Sequence, residues 1–364
     1  MDFRQLFLIS ALTVSALFAQ QTNVQEPTLD KKIASLVVIG FHGTVIDTES
    51  PIVSEIKSGL GGVILFDQDP LNKMERKNIV NAKQLKKLDA DLQSVSANKL
   101  LICVDEEGGK VARLKEKDGF KTFPSAQDVA KSDAQEASVY YDEMAMMLAQ
   151  NGINTNFAPS VDLLFTYNPI IAGKKRSYSS DPEVVSKYAS IFVEEHRKNR
   201  VVTVIKHFPG HGSSKADSHK GFTDVTNTWT SKELEPFMQM IEAQKVDMIM
   251  TAHIFNKNLD TKYPATLSYK VNTELLRNQM HYEGVIITDD LQMAAIHKHY
   301  SLKETVTLAL NSGVDILLFA NQLAKPLRLE TIVDVVKAQI KAGKIKEERI
   351  NESYARVQKL KVRL

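Results

Sequence analysis

The chain has 364 residues, 43% of them hydrophobic, and its 46 Lys plus Arg against 44 Asp plus Glu leave a formal charge of +2. That length accommodates two average domains or one large α/β barrel, and the near balance of charge lacks the basic footprint of a nucleic-acid-binding protein. One cysteine, Cys103, excludes an internal disulfide. Residues 1–20 combine Arg4, an apolar run from Leu6 to Phe18, and small residues at Ala16 and Ala19, the pattern of a Sec-type signal peptide. The run is too short for a membrane span, which needs ~20 residues. A polar linker is expected over 21–30, and a periplasmic or secreted location follows, with an uncleaved anchor as the alternative.

From residue 31 onward, short β-rich runs alternate with segments of helical periodicity. Strands are expected at 36–40, 62–66, 100–104, 155–158, 202–206, 247–250, 284–288 and 314–319. Helices are expected at 73–92, 136–150, 182–198, 232–243, 273–279, 303–311 and 331–342. Eight alternations imply a parallel sheet with crossover helices, and eight units close as a single (β/α)8 TIM barrel over 31–364. A doubly wound open sheet is the alternative. The last stretch, 347–364, reads as an amphipathic helix packed on the barrel through Ile350, Tyr354, Val357 and Lys361, its basic residues forming a solvated face.

Barrel enzymes gather reactive groups at the carboxyl ends of their strands. Lys206 and His207 follow the run 201–205 there, and Pro209 and Gly210 make a loop of what comes next. Asp217 and His219 are two apart, so in an extended segment the carboxylate can bond one imidazole nitrogen and orient the other, the chemistry of a general acid/base. Asp105, Glu106 and Glu107 follow the third run, with Gly108 and Gly109 allowing a tight turn. Asp289 and Asp290 follow the seventh, and Asp290 is expected to begin the next helix.

The stretch Lys206-His207-Phe208-Pro209-Gly210-His211-Gly212, followed by Asp217-Ser218-His219, resembles the signature of family 3 glycoside hydrolases, and within it the single-domain bacterial β-N-acetylglucosaminidase branch. Four further stretches carry the same resemblance: Asp105 to Arg113, Asn156 to Asp162, Arg176-Ser177-Tyr178, and Asp289-Asp290-Leu291-Gln292-Met293. Lys110 stands where the family usually has Arg, and Lys174 and Lys175 add charge ahead of Arg176. The resemblance implies Asp289 as nucleophile and His219, oriented by Asp217, as acid/base. It implies Asp105, Arg113, Arg176, Lys206 and His207 as sugar-binding residues. His253 is expected to be a wall or supporting residue, and His211 and Asp224 to hold a loop in shape. Many family members carry a second domain that supplies an acid/base carboxylate. Here the chain ends one helix after the eighth unit, so the acid/base is expected from the barrel.

The implied reaction is retaining hydrolysis of terminal β-linked N-acetylglucosamine through a covalent glycosyl-enzyme, with peptidoglycan fragments as the saccharide substrate. No cofactor, metal or obligatory protein partner is inferred. Gly210, Gly212 and Gly221 suggest a segment that closes over substrate. The competing readings are phosphorolysis, a β-glucosidase, a metal-dependent hydrolase built on His207, His211, Asp217 and His219, and a sugar-binding protein without turnover.

Overall fold

A computed structural model describes residues 26–70, 75–216, 221, 223–322 and 326–364. Eight parallel strands form one sheet in the order β7-β6-β5-β4-β3-β2-β1-β8. They are β1 (Val37–Gly40), β2 (Gly62–Ile64), β3 (Leu101–Val104), β4 (Thr155–Asn156), β5 (Val202–Phe208), β6 (Met248–Thr251), β7 (Val285–Ile287) and β8 (Leu317–Phe319). A parallel bridge between Ile287 and Ile316, with the Thr288 N–H donating to the Ile316 carbonyl at 3.0 Å, joins the two ends and closes the barrel. Side chains fill the inside and helices cover the outside, so every strand residue is buried. That is why the strands read as continuous apolar runs rather than alternating ones.

All eight expected strands are present, shorter at most ends, except that β5 runs on through His207 to Phe208 and β6 by one residue to Thr251. The helices are α1 (Leu29–Ala34), α2 (Pro51–Lys57), α3 (Ala82–Ser94), α4 (Ala126–Val129), α5 (Ala134–Gln150), α6 (Pro182–Lys198), α7 (Glu235–Glu242), the helix Lys270–Gln279, α8 (Ala294–His297), α9 (Leu302–Ser312), α10 (Leu329–Lys341) and α11 (Glu347–Lys361). In α6 the Asp181 carboxylate caps the first turn and Pro182 occupies it, while Val185, Ala189, Phe192 and His196 face the barrel. The helix expected at 73–92 starts only at Ala82, capped by Asn81. Before it, the Asn78 N–H is committed to the Phe66 carbonyl at 2.9 Å, which keeps the chain extended. The short helices α1 and α2 were not expected, and α1 begins inside the segment read as linker.

The basic residues of the last stretch are only partly a solvated face: Lys359 is exposed as expected, whereas three arginines turn back to buried acids. Arg349, Arg356 and Arg363 recur every seven residues, so they share one side. Arg349 and Arg356 reach the buried Asp315 at 2.8 and 3.2 Å, and Arg363 reaches the buried Asp247 at 2.7 Å. Lys361, expected on the packed side, is buried there and donates to the Gly61 carbonyl at 2.8 Å. Each of these acceptors lies just ahead of a strand, so the helix is pinned across the amino-terminal end of the barrel and leaves the carboxyl end for chemistry.

Candidate active site

The carboxyl ends of the strands surround a cavity of about 290 Å³. Its polar lining includes Asp105, Arg113, Arg176, Lys206, His207, Asp289 and Asp290, and Phe66, Phe157, Met250, Met293 and Leu318 supply apolar wall. Six of the eight residues expected at the site therefore meet in one place. The other two, Asp217 and His219, lie outside the described residues.

The loop after β3 is shaped by its own backbone needs. Glu106 is buried and its carboxylate accepts the N–H groups of Arg113 and Leu114 at 2.8 and 3.0 Å. Burial pushes this carboxyl up to about 7. Asn156 on β4 clips the same loop, accepting from the Glu106 N–H at 3.0 Å and donating to the Glu106 carbonyl at 2.9 Å. Asp105 and Arg113 are thereby set side by side, and the Arg113 guanidinium donates to Asp105 at 3.2 Å. Lys110 stands at the rim, donating to the Gly173 carbonyl at 3.1 Å.

Lys206, near the end of β5, is buried and bonds two carboxylates, Asp105 at 2.9 Å and Glu107 at 2.7 Å. Arg176 approaches Glu107 with both Nε (2.8 Å) and Nη2 (2.6 Å). Burial alone would raise the Glu107 carboxyl, but the two cations overcome it and hold it well below the ordinary range. Burial likewise opposes the charge on Lys206, and Asp105 and Glu107 more than restore it, so the ammonium stays protonated. Glu107 carried no assigned role in the sequence, although the motif containing it was visible.

A second omission is Asp162. Its Oδ2 lies 2.7 Å from His207 Nδ1, and its Oδ1 accepts the His211 backbone N–H at 2.7 Å. With Nδ1–H directed at the carboxylate, His207 Nε2 is the acceptor for Arg176 Nη2 at 3.3 Å. His211 is buried, and burial followed by the proximity of His207 pushes its imidazole down to about 4.

Asp289 follows β7, half-buried on the cavity wall, and its Oδ1 accepts the Asp290 N–H at 2.8 Å. Asp290 does not begin a helix. Its Oδ1 accepts from Gln292 N (3.1 Å) and Ala320 N (3.0 Å), tying the end of β7 to that of β8, and α8 starts only at Ala294. His253 holds the same corner, with Nε2 donating to the Asp290 carbonyl at 2.9 Å and Nδ1 at 2.7 Å from Thr266 Oγ1. Lys77, which the sequence reading passed over, reaches behind the wall to the Asn321 carbonyl at 2.8 Å, with burial pushing its ammonium down to about 8.

Gly210 and Gly212 are buried rather than hinge-like. A Cβ on Gly210 would stand 2.5 Å from the Glu233 Cβ, and one on Gly212 would stand 2.3 Å from the Leu163 carbonyl oxygen. Close packing accounts for Gly212, and close packing together with a φ of +115° for Gly210. Asp224 accepts the Thr226 N–H at 2.8 Å, a loop-shaping role as expected.

Donors and acceptors alternating around a small cavity, with a carboxylate at the end of β7, match the sequence signature that placed them. The model for the glycosyl hydrolase family 3 N-terminal domain matches residues 28–360. The chain belongs to glycosyl hydrolase family 3. It is 33% identical over 341 residues to a β-hexosaminidase A of Pseudoalteromonas piscicida, covering 87% of this chain and 56% of that protein. It is 35% identical over 294 residues to a β-hexosaminidase of Tolumonas auensis, covering 79% and 83%. A family 3 β-N-acetylglucosaminidase from a Paenibacillus species superposes with a TM-score of 0.83 at 34% identity, over 93% of this chain and 63% of that one. A β-N-acetylhexosaminidase from Beutenbergia cavernae gives 0.83 at 25% identity, over 93% and 99%. The chain thus spans little more than half of the Pseudoalteromonas relative and nearly all of the Beutenbergia one.

Proposed function

We propose that this glycoside hydrolase is a retaining, exo-acting β-N-acetylglucosaminidase that removes terminal β-linked N-acetylglucosamine from peptidoglycan fragments. The observation that carries the reading is the meeting, around one small cavity, of the Asp289 carboxylate with Asp105, Lys206 and Arg176, the last two held from behind by Glu107. At about 290 Å³ the cavity is at the lower end of ligand pockets, which suits one sugar ring entered from a chain end. The names of the relatives favour the N-acetyl sugar.

In this mechanism Asp289 attacks C1 of the sugar, the bond from C1 to the leaving oxygen breaks, and His219 gives that oxygen its proton. His219 then takes a proton from water as the water oxygen bonds C1, and the Asp289 carboxylate leaves. Asp217 orients the imidazole through both steps. Lys206 and Asp105 offer a donor and an acceptor to ring hydroxyls, while Asp162 and Arg176 fix His207 beside them. The apolar run at 6–18 supports export to the periplasm or outside the cell, which N-terminal sequencing of the mature protein would test.

The function is tested by p-nitrophenol release from the N-acetylglucosaminide and from the glucoside, with and without phosphate. Cleavage of the N-acetylglucosaminide alone, to free sugar in either buffer, is the expected result. A sugar phosphate product would make the enzyme a phosphorylase, and preference for the glucoside would make it a β-glucosidase.

A further inference from the structure

Glu233 is buried to 1% exposure, and burial pushes its carboxyl up to about 7. Nothing in the reaction above uses it. Oε2 accepts the Ser213 N–H at 3.2 Å, the Gly212 N–H and the Ser213 hydroxyl also approach the carboxyl group, and Oε1 has no hydrogen-bond partner among the described residues. A buried acid half-satisfied in this way costs stability relative to an apolar side chain, so its presence calls for a reason other than folding.

Its surroundings supply one. Gly210, with φ at +115°, and Gly212 fold the turn 209–214 around this side chain, and a Cβ on Gly212 would stand 3.1 Å from Oε2. The turn hangs from His207, whose carbonyl accepts the Gly210 N–H at 2.7 Å. On its other side Asp162 accepts the His211 N–H at 2.7 Å. Four residues before Glu233, the Trp229 indole N–H donates to the Pro209 carbonyl at 3.1 Å. Trp229 and Glu233 therefore clip the returning strand of chain to the outgoing one, at Pro209 and Ser213. The residues between the two clipped segments include Asp217 and His219.

We propose that Glu233 is a positioning residue for catalysis: with Trp229 it clamps the base of the loop whose sequence carries the acid/base pair. The proposal rests on the assignment of His219 as acid/base in the preceding subsection. The clamp acts through a hydrogen-bond acceptor at Ser213 N, so an amide at position 233 preserves it and a methyl group abolishes it. Asp289 follows β7, away from this turn, and its Oδ1 accepts the Asp290 N–H rather than a donor of the clamp. Damage to the clamp therefore weakens proton transfer while leaving nucleophilic attack intact.

The experiment compares wild type, Glu233→Ala, Glu233→Gln and Trp229→Phe on two N-acetylglucosaminides, one with a phenyl and one with a dinitrophenyl leaving group, with and without azide. A poor leaving group needs its proton and a good one does not. For Glu233→Ala the expected loss in kcat/KM is about tenfold or more on the phenyl substrate, within the range of general acid catalysis, and under about threefold on the dinitrophenyl one. Azide, which needs no general base, should restore kcat on the dinitrophenyl substrate and yield the glycosyl azide. Glu233→Gln should stay near wild type on both substrates, and Trp229→Phe should show the same split in smaller degree. Equal losses on the two substrates, no loss at all, or a Glu233→Gln variant as impaired as Glu233→Ala would overturn the proposal. If Glu233→Ala does not fold, the leaving-group split in Trp229→Phe decides. A wild-type enzyme that cleaves neither substrate would instead refute the functional reading on which the proposal rests.

Discussion

Lys206 Nζ lies 2.7 Å from Glu107 Oε1 with both side chains buried, although 99 positions of sequence separate them by number and β3 and β5 supply them from two sides of β4. The pair fixes the ammonium that also reaches Asp105, and so it sets one wall of the cavity at the carboxyl ends of the strands.

Glu107→Gln removes the charge that Arg176 and Lys206 share. Breaking a buried pair by removing one partner costs about 3–5 kcal/mol, and the variant should unfold at a correspondingly lower urea concentration at neutral pH. The folded Glu107 carboxyl is held below its ordinary range, so its stabilisation is present above that range and is lost as pH falls through the folded value. The gap between wild type and variant should accordingly narrow in acid. A gap independent of pH would mean that the charge is not what the pair contributes.

Asp89 on α3 offers the opposite sign. It is buried to 1% exposure, neither carboxylate oxygen has a hydrogen-bond partner among the described residues, and burial raises its carboxyl well above the ordinary aspartate value. A raised folded value means stability that is full below the unfolded value and declines as pH rises towards the folded one. Asp89→Asn abolishes that titration, so the variant should gain on wild type by up to about 1.4 kcal/mol per pH unit above the unfolded value. Urea unfolding at two pH values within that window measures it.

Asp315 holds Arg277, Arg349 and Arg356 at 2.6, 2.8 and 3.2 Å beneath the barrel. Asp315→Asn leaves those guanidinium groups without their shared anion and should cost about 3–5 kcal/mol, seen as a lower melting temperature. Arg356→Leu alone, at a partly exposed position, should cost about 1 kcal/mol or less. Equal effects from the two variants would refute the clamp as the source of the stability.

The barrel was legible because its strands are buried on both faces, which writes them as unbroken apolar runs such as Leu101 to Val104. Asp289, Lys206 and His207 were legible for the same reason, each standing where such a run ends. Glu107 and Asp162 were not given roles, since each acts through a partner far off in sequence: Arg176 for the first and His207 for the second. The heptad of Arg349, Arg356 and Arg363 was present in the sequence too. Its meaning lay in Asp247 and Asp315, whose burial depends on the closed barrel. Glu233 gives no local signal at all, because the turn it supports is more than 15 residues away in the chain.

The most direct measurement is to trap the enzyme with a fluorinated, slowly turned-over N-acetylglucosaminyl substrate and locate the adduct by peptide mass spectrometry. The account predicts a single sugar on Asp289 and none in Asp289→Ala. A sugar attached to any other residue, or turnover surviving undiminished in Asp289→Ala, would contradict it.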